Sequence, residues 1–190
     1  KFLRLLVILL LMSANHLSAQ NSPLDYLNPM VGTKSMGHTF PGACAPFGLV
    51  QLSPDTEMIP HNIEGIYQSD AYKYCAGYQY DDKTIVGFSH THFNGTGHSD
   101  LGDILIMPMT GEVKLDMGTE ENPESGYRSR FSHDDEQAEA GYYSVLLQDY
   151  DILAEMTATE RVGVHRYTFP QGTETGHIIL DLDYGIYNYD

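Results

Sequence analysis

The second half of the chain alternates apolar and polar residues in short runs, as expected of β-strands that bury one face. Turn-forming residues separate the runs at intervals of about 8–12 residues, a spacing typical of antiparallel sandwiches and barrels. No long apolar stripe at helical spacing follows the N-terminal segment. The pattern therefore predicts an all-β chain that folds as an antiparallel β-sandwich or barrel. The predicted strands in this half cover residues 141–147, 152–159, 162–169 and 177–182.

The first half of the chain gives shorter and less regular patterns. Residues 57–74 are polar and rich in tyrosine without a clear period, and we predict a long loop over the sheet. The acidic run Asp134-Asp135-Glu136 is predicted to be solvated. The predicted strands in this half cover residues 49–53, 75–80, 84–86, 104–107 and 113–117.

The N-terminus has the three parts of a secretory signal peptide. Lys1 and Arg4 form a basic start, Leu5 to Met12 are apolar, and Leu17-Ser18-Ala19 offers a small-residue cleavage site. We predict a signal peptide over residues 1–19, a mature domain over residues 20–190, and export to the periplasm or the medium. The apolar run is too short to span a bilayer, and Gln20 follows the cleavage site instead of a lipid-bearing cysteine. No membrane anchor is therefore expected, and a buried N-terminal helix is the alternative interpretation.

Charge and cysteine content narrow the possible partners. The chain has 26 acidic and 10 basic residues, and its net charge is −16. Nucleic-acid binding needs a basic face, so this balance argues against it and favours a neutral or cationic substrate. Cys44 and Cys75 could pair after export, but two cysteines so far apart in sequence leave this open.

Residues 87–103 contain three histidines, two aspartates and four glycines between predicted strands. Such a loop can bind a metal, contact sugar hydroxyls, or hydrogen-bond its own backbone. A zinc site could use His90, His92, His98, Asp100 and Asp103, but the spacing matches no diagnostic zinc motif. We therefore keep all three interpretations of this loop.

The sequence gives little support for nucleophilic or paired-carboxylate catalysis. It contains no Gly-x-Ser-x-Gly motif, and Ser89 beside His90 is a chance-level neighbour. A pair of carboxylates facing each other across a cleft would have to come from Asp55, Asp100 and Asp103, and sequence cannot show which of them face one another.

A series of motifs closely resembles the opening of glycoside hydrolase family 92, in order and with similar gaps, from about Asp25 to Leu182. The most specific are Gly37-His38-Thr39-Phe40-Pro41-Gly42-Ala43 and Gly87-Phe88-Ser89-His90-Thr91-His92. The others cover residues 28–33, 45–56, 75–78, 95–97, 102–104, 127–133, 141–145, 154–159 and 165–170.

Members of this family are calcium-dependent, inverting exo-α-mannosidases, often secreted by gut bacteria that degrade host or yeast glycans. They join an N-terminal sandwich of the galactose-mutarotase-like supersandwich type to a C-terminal (α/α)6 barrel. The barrel holds the general acid, the base and most of the calcium site. The resemblance covers the sandwich only, so it implies no catalytic residue and no metal ligand in these 190 residues. It implies mannose-containing glycans as substrate, the barrel as partner, and an inactive isolated fragment.

The resemblance also implies which sandwich residues line the pocket. Members of the family usually have a substrate-facing tryptophan three residues before the cysteine of the Cys-x-Gly-Tyr motif, and here that position is Tyr72. A tyrosine still offers a stacking face, although the change weakens the inference of an α-1,2 linkage. Residues 57–71 also look longer than the usual spacing. The expected substrate-binding residues are Tyr72, Cys75, Gly77, His90, His92, Gly95 and Asp100.

Three alternatives remain for the chain as a whole. It could be a free-standing carbohydrate-binding module, which would close its own sheet and expose an aromatic platform. It could be a structural domain whose loops serve only the interface with the barrel. It could also be a metallohydrolase built on His90 and His92, which would be active alone and sensitive to chelators.

Overall fold

The computed structural model describes residues 22–95 and 101–185. The predicted signal peptide, His98 and Asp100 lie outside the described residues. Within them the chain forms thirteen strands and four short 3₁₀ helices, and no helix is long and apolar enough to cross a membrane. The helices are Pro23–Tyr26, Ser69–Tyr74, Pro123–Ser125 and His133–Asp135. The strands are β1 (Ala43–Cys44), β2 (Gln51–Asp55), β3 (Asn62–Ile63), β4 (Ile66–Tyr67), β5 (Thr84–Ile85), β6 (Gly87–Ser89), β7 (Leu105–Thr110), β8 (Ser129–Arg130), β9 (Glu136–Glu139), β10 (Tyr142–Leu147), β11 (Ile152–Ala158), β12 (Gly163–Thr168) and β13 (Gly176–Asp181).

Two antiparallel sheets form the body of the domain. One has the strand order β1-β2-β6-β7-β13, and the other is a meander with the order β12-β11-β10-β9. Strand β11 packs against β1 and β2, so the sheets lie face to face as a sandwich. The predicted fold class is confirmed. Two further strand pairs, β3 with β4 and β5 with β8, lie outside these sheets.

The core follows from the alternation seen in the sequence. On β10 the buried residues Tyr143, Val145 and Leu147 face the same side and pair across the ladder with buried residues of β11. The inward-facing side chains of the first sheet pack into the same core. Burying such side chains supplies most of the driving force for folding. The inward residues of the first sheet include Leu52, Phe88, Leu105, Met107 and Met109.

Three predictions for the first half were wrong. Residues 75–80 form turns and no strand, because Gly77 takes a left-handed φ of 76° and its N–H donates to the Tyr74 carbonyl. Residues 113–117 alternate but have no neighbouring strand in the described structure to complete a ladder. Residues 57–74 are more ordered than a loop, since they form the β3–β4 hairpin and the Ser69–Tyr74 helix.

Glu136 was predicted to be solvated, and its side chain is instead 1% exposed. Its carboxylate accepts hydrogen bonds from the hydroxyls of Tyr78 (3.0 Å) and Tyr143 (2.5 Å) and lies 2.6 Å from His133 Nδ1. Strand β9 places this residue at the meander's edge with its side chain inward. A buried carboxylate is tolerated because its oxygens are hydrogen-bonded. Burial, and then the charge of Glu136, raise the pKa of Tyr143 well above its usual value.

Strands β12 and β13 are each one edge of a sheet, opposite β9 and β1, and carry exposed apolar side chains. Both strands therefore leave apolar surface uncovered in the described structure. The exposed residues on or beside these strands are Val162, Val164, Ile178, Leu180 and Leu182.

Candidate functional site

The loop of residues 87–103 is called the histidine-rich loop here, and Asn94 and Gly95 are called its tip. These two residues attach the loop to the segment that contains His38 and Phe40. The N–H of Gly95 donates to the His38 carbonyl (2.6 Å), and the N–H of Phe40 donates to Asn94 Oδ1 (3.0 Å). The Phe40 ring also lies 5.2 Å from the ring of His92. These contacts bring Gly95 and His92, two of the expected site residues, to one side of the first sheet.

Tyr72 joins this group through His38. It lies on the Ser69–Tyr74 helix with 41% of its surface exposed, and its ring stands at 88° to the His38 ring with centroids 4.8 Å apart. The buried Gln79 amide fixes the helix, because its Nε2 donates to the carbonyls of Ser35 (2.9 Å) and Lys73 (2.5 Å). A partly exposed tyrosine thus lies on a helix that a buried side chain holds in place, as a rigid binding site requires.

Cys75 and Gly77 lie behind Tyr72 and are buried. A Cβ atom on Gly77 would lie 1.8 Å from Asp55 Oδ1 and 3.2 Å from His92 Nε2, so only glycine fits there. Its left-handed φ imposes the same requirement. Both residues are buried in the described structure, and direct substrate contact by either stays a prediction.

His92, Asp55 and Ser89 meet in the core without forming a catalytic triad. His92 Nδ1 donates to the Gln51 carbonyl (2.7 Å), while Nε2 lies 2.9 Å from Asp55 Oδ1 and 3.0 Å from Ser89 Oγ. A triad needs the serine and the aspartate on opposite ring nitrogens. Here both contact the same nitrogen, and all three side chains are buried. The arrangement therefore locks β2 to β6 and offers no nucleophile to a substrate.

His90 contacts the second sheet. Its Nδ1 donates to the carbonyl of Ile104 (2.7 Å), a residue with an unusual φ of 59°. The other nitrogen, Nε2, then accepts from His165 Nε2 (3.1 Å), and the Tyr167 hydroxyl donates to His165 Nδ1 (2.7 Å). This chain of hydrogen bonds satisfies both imidazoles in their neutral forms. It links the start of the loop to β12.

No metal centre emerges from these contacts. Across residues 22–95 and 101–185, no group of three or more His, Cys, Asp or Glu side chains is placed to hold an ion. Both ring nitrogens of His90 and of His92 are already engaged within the protein. The described His, Cys, Asp and Glu side chains therefore form no such metal centre, and none of the chemistry proposed below depends on one in this domain. Cys44 and Cys75 are thiols with no disulfide between them, and burial raises the pKa of Cys44.

The His165 contact predicts a pH-dependent stability. Burial, and secondarily electrostatic repulsion from the neighbouring His90 imidazole, lower the pKa of His165 from 6.5 to about 4. Between these values the folded state binds fewer protons than the unfolded state, so this contribution to stability is complete above pH 6.5 and is lost as the pH falls toward 4. The loss amounts to about 3 kcal/mol.

Thermal unfolding of the protein and its His165→Gln variant, followed from pH 4 to pH 7, measures this contribution. The difference between the two should grow with pH over that interval, whereas His177→Gln, a partly exposed histidine on β13, should leave the profile unchanged. Parallel profiles for wild type and His165→Gln would contradict the assignment.

Comparison with known proteins identifies the family of this chain. The family model described as the glycosyl hydrolase family 92 N-terminal domain matches residues 26–190. The chain belongs to this family. The family 92 domain is similar in structure to a GH92 alpha-mannosidase from Bacteroides thetaiotaomicron solved in complex with mannoimidazole. The two share 45% identity with a TM-score of 0.78, over 86% of this chain and 20% of that one.

Two further relatives of the family 92 domain are more distant. A GH92 inverting mannosidase from the same bacterium has 25% identity and a TM-score of 0.63, over 85% of this chain and 20% of that one. A protein of Arthroderma benhamiae called an uncharacterized secreted glycosidase is 27% identical over 94% of this chain and 22% of its own length. The family 92 domain thus spans about one fifth of the length of these relatives.

The sequence pointed to only part of this site. His38, Gln79 and Asn94 shape it, yet none was among the expected site residues. His38 had a signal, because it lies in the Gly-His-Thr-Phe-Pro-Gly-Ala motif that carries the resemblance. Gln79 and Asn94 had no such signal. Gln79 donates to two backbone carbonyls, and Asn94 accepts from the N–H of Phe40, and such contacts are visible only in the structure. Asp100 falls outside the described residues, so its role stays a prediction.

Proposed function

We propose that this chain is the N-terminal sandwich of an exported, exo-acting α-mannosidase that hydrolyses terminal α-mannosides of glycans with inversion. In this proposal its residues form one wall of the pocket, and a C-terminal barrel of the same polypeptide supplies the two catalytic carboxylates and the calcium ligands. Membership of family 92 and the similarity to mannosidases support the activity. The secreted glycosidase relative supports export, together with the signal-peptide pattern.

One observation carries the role of this domain: an exposed tyrosine held rigidly beside the tip of the histidine-rich loop. The face of an aromatic ring packs against the C–H groups of a sugar, and the phenolic hydroxyl can hydrogen-bond to it. Pre-formed sites with an aromatic wall and a few placed polar groups are typical of small-ligand binding. Tyr72 is therefore proposed to contact the glycan next to the terminal mannose, with an α-1,2 linkage as the finer proposal.

Replacing Tyr72 in the full-length polypeptide tests this role. With α-1,2-mannobiose and calcium, Tyr72→Ala should raise KM about tenfold, which corresponds to about 1.4 kcal/mol, at unchanged kcat and melting temperature. Tyr72→Trp should keep the low KM because it preserves the stacking face. Tyr26→Ala removes another exposed tyrosine and serves as the matched control. A fall in melting temperature without a change in KM would assign Tyr72 to the domain interface instead.

A hydrolysis assay with an aryl α-mannoside distinguishes the proposals for the whole protein. Hydrolysis by the full-length polypeptide but not by residues 20–190 supports the proposal that the barrel, and not the sandwich, supplies the catalytic carboxylates. Hydrolysis by the isolated domain, abolished by His90→Ala and by chelators, would contradict it. Mannoside binding without hydrolysis by either protein would favour a carbohydrate-binding module.

A further inference from the structure

His38 contacts both the ring of Tyr72 and the loop residue Gly95. Its side chain is buried, with 6% of the residue exposed. Its Nε2 atom is inaccessible and has no hydrogen-bond partner among residues 22–95 and 101–185. Buried polar atoms are almost always paired, so an unpaired one calls for an explanation. The His38 ring packs at a right angle to the Tyr72 ring.

The backbone around His38 is fixed tightly enough to hold a ring in one orientation. His38 has a left-handed φ of 49°, an unfavourable conformation for a residue with a side chain. Its carbonyl is held by the N–H of Gly95. The preceding Gly37 lies so close to Gly32 that a Cβ atom would approach the Gly32 carbonyl oxygen to 2.1 Å. Strained backbone that several contacts hold in place is concentrated at functional sites.

We propose that His38 is a positioning residue that sets the orientation of the Tyr72 ring toward the glycan. In a perpendicular aromatic pair, the positive edge of one ring meets the negative face of the other, which fixes their mutual orientation. The Gln79 amide holds the helix of Tyr72, and His38 holds its ring. The buried imidazole thus acts on the substrate only through Tyr72. This inference rests on the role proposed for Tyr72 above.

Three variants of the full-length polypeptide separate the ring contact from the backbone. His38→Ala removes the ring, His38→Asn removes it but suits the left-handed backbone, and His38→Phe keeps a ring edge. The first two should raise KM for α-1,2-mannobiose about threefold to tenfold at unchanged kcat, as expected for loss of an aromatic pair. His38→Phe should restore most of the low KM. Asp151→Ala, at a left-handed position in the turn between β10 and β11, is the control and should leave KM unchanged.

A double-mutant cycle with Tyr72 decides the mechanism. If His38 acts through Tyr72, the His38→Asn change should add no further increase in KM to that of Tyr72→Ala. Additive effects, a lowered kcat, or an unchanged KM in His38→Asn would overturn the inference while leaving Tyr72 in the site. An unchanged KM in Tyr72→Ala alone would overturn the role of Tyr72, and the inference would fail with it.

Discussion

The change Glu57→Ala is expected to lower the free energy of unfolding of the sandwich by about 3–5 kcal/mol, the cost of leaving a buried charge unpaired. The Arg128 side chain is completely buried and forms a two-pronged ion pair with Glu57, at 3.0 and 3.1 Å. It also donates to Thr84 Oγ1 (3.1 Å) and the Met117 carbonyl (3.3 Å). Because Glu57 retains some exposure, the lower end of the range is expected.

Local hydrogen exchange in the full-length polypeptide measures this effect on β5 and β8, the strands beside Arg128. Glu57→Gln keeps an acceptor for the guanidinium without the charge, so the loss should be smaller. Glu174→Ala, an exposed glutamate before β13, should change stability by no more than about 0.5 kcal/mol. Equal losses for the Glu57→Ala and Glu174→Ala variants would show that the buried arginine does not need its partner.

The change Gly77→Ala is expected to destabilise the domain by about 3 kcal/mol or more, combining a left-handed backbone penalty with a displaced buried hydrogen bond. The new methyl group would overlap Asp55 Oδ1, whose carboxylate is held by His92. The backbone of Gly77 cannot move away, since its N–H donates to Tyr74 and its carbonyl accepts from Thr56 (2.9 Å). The strain therefore falls on the support beneath Tyr72, and KM should rise together with the loss of stability.

Gly172 provides a matched control because it has a φ of 86° and no atom within 4 Å of the position that a Cβ would take. Gly172→Ala should cost only the backbone penalty, about 1–2 kcal/mol. The difference between the melting temperatures of the two variants isolates the effect of the clash. Equal melting temperatures, with KM unchanged in the Gly77→Ala variant, would mean that Asp55 can rotate away without cost.

Periodicity predicted β10 to β13 well because each of these strands is half-buried in a regular ladder. The same criterion failed at residues 113–117, where alternation occurs without a partner strand. The interpretation of the acidic run failed at Glu136, where a charged residue faces inward. Alternation reports a tendency to be half-buried, whereas a strand also requires a neighbour. An isolated acidic run cannot reveal that two tyrosines and a histidine surround one of its members.

Motifs, and not geometry, led to the candidate site. Contacts through His38 and Phe40 connect Tyr72, Gly95 and His92. The roles of these residues toward a substrate stay predictions. The histidines attracted attention as possible metal ligands, yet His90 and His92 use both ring nitrogens within the protein. Residue type showed that the loop is unusual, but the partners of each nitrogen depend on strands that are distant in sequence.

The β3–β4 hairpin leads directly into the helix that carries Tyr72. Gln68 belongs to both elements, because its N–H donates to the His61 carbonyl (2.9 Å) and its carbonyl accepts from the N–H of Ala71 (3.1 Å) in the helix. The C-terminal part of the helix is held separately, where Gln79 donates to the Lys73 carbonyl. A change in hairpin length is therefore transmitted to the first turn of the helix, and the Gln79 contact limits how far the rest of the helix can follow.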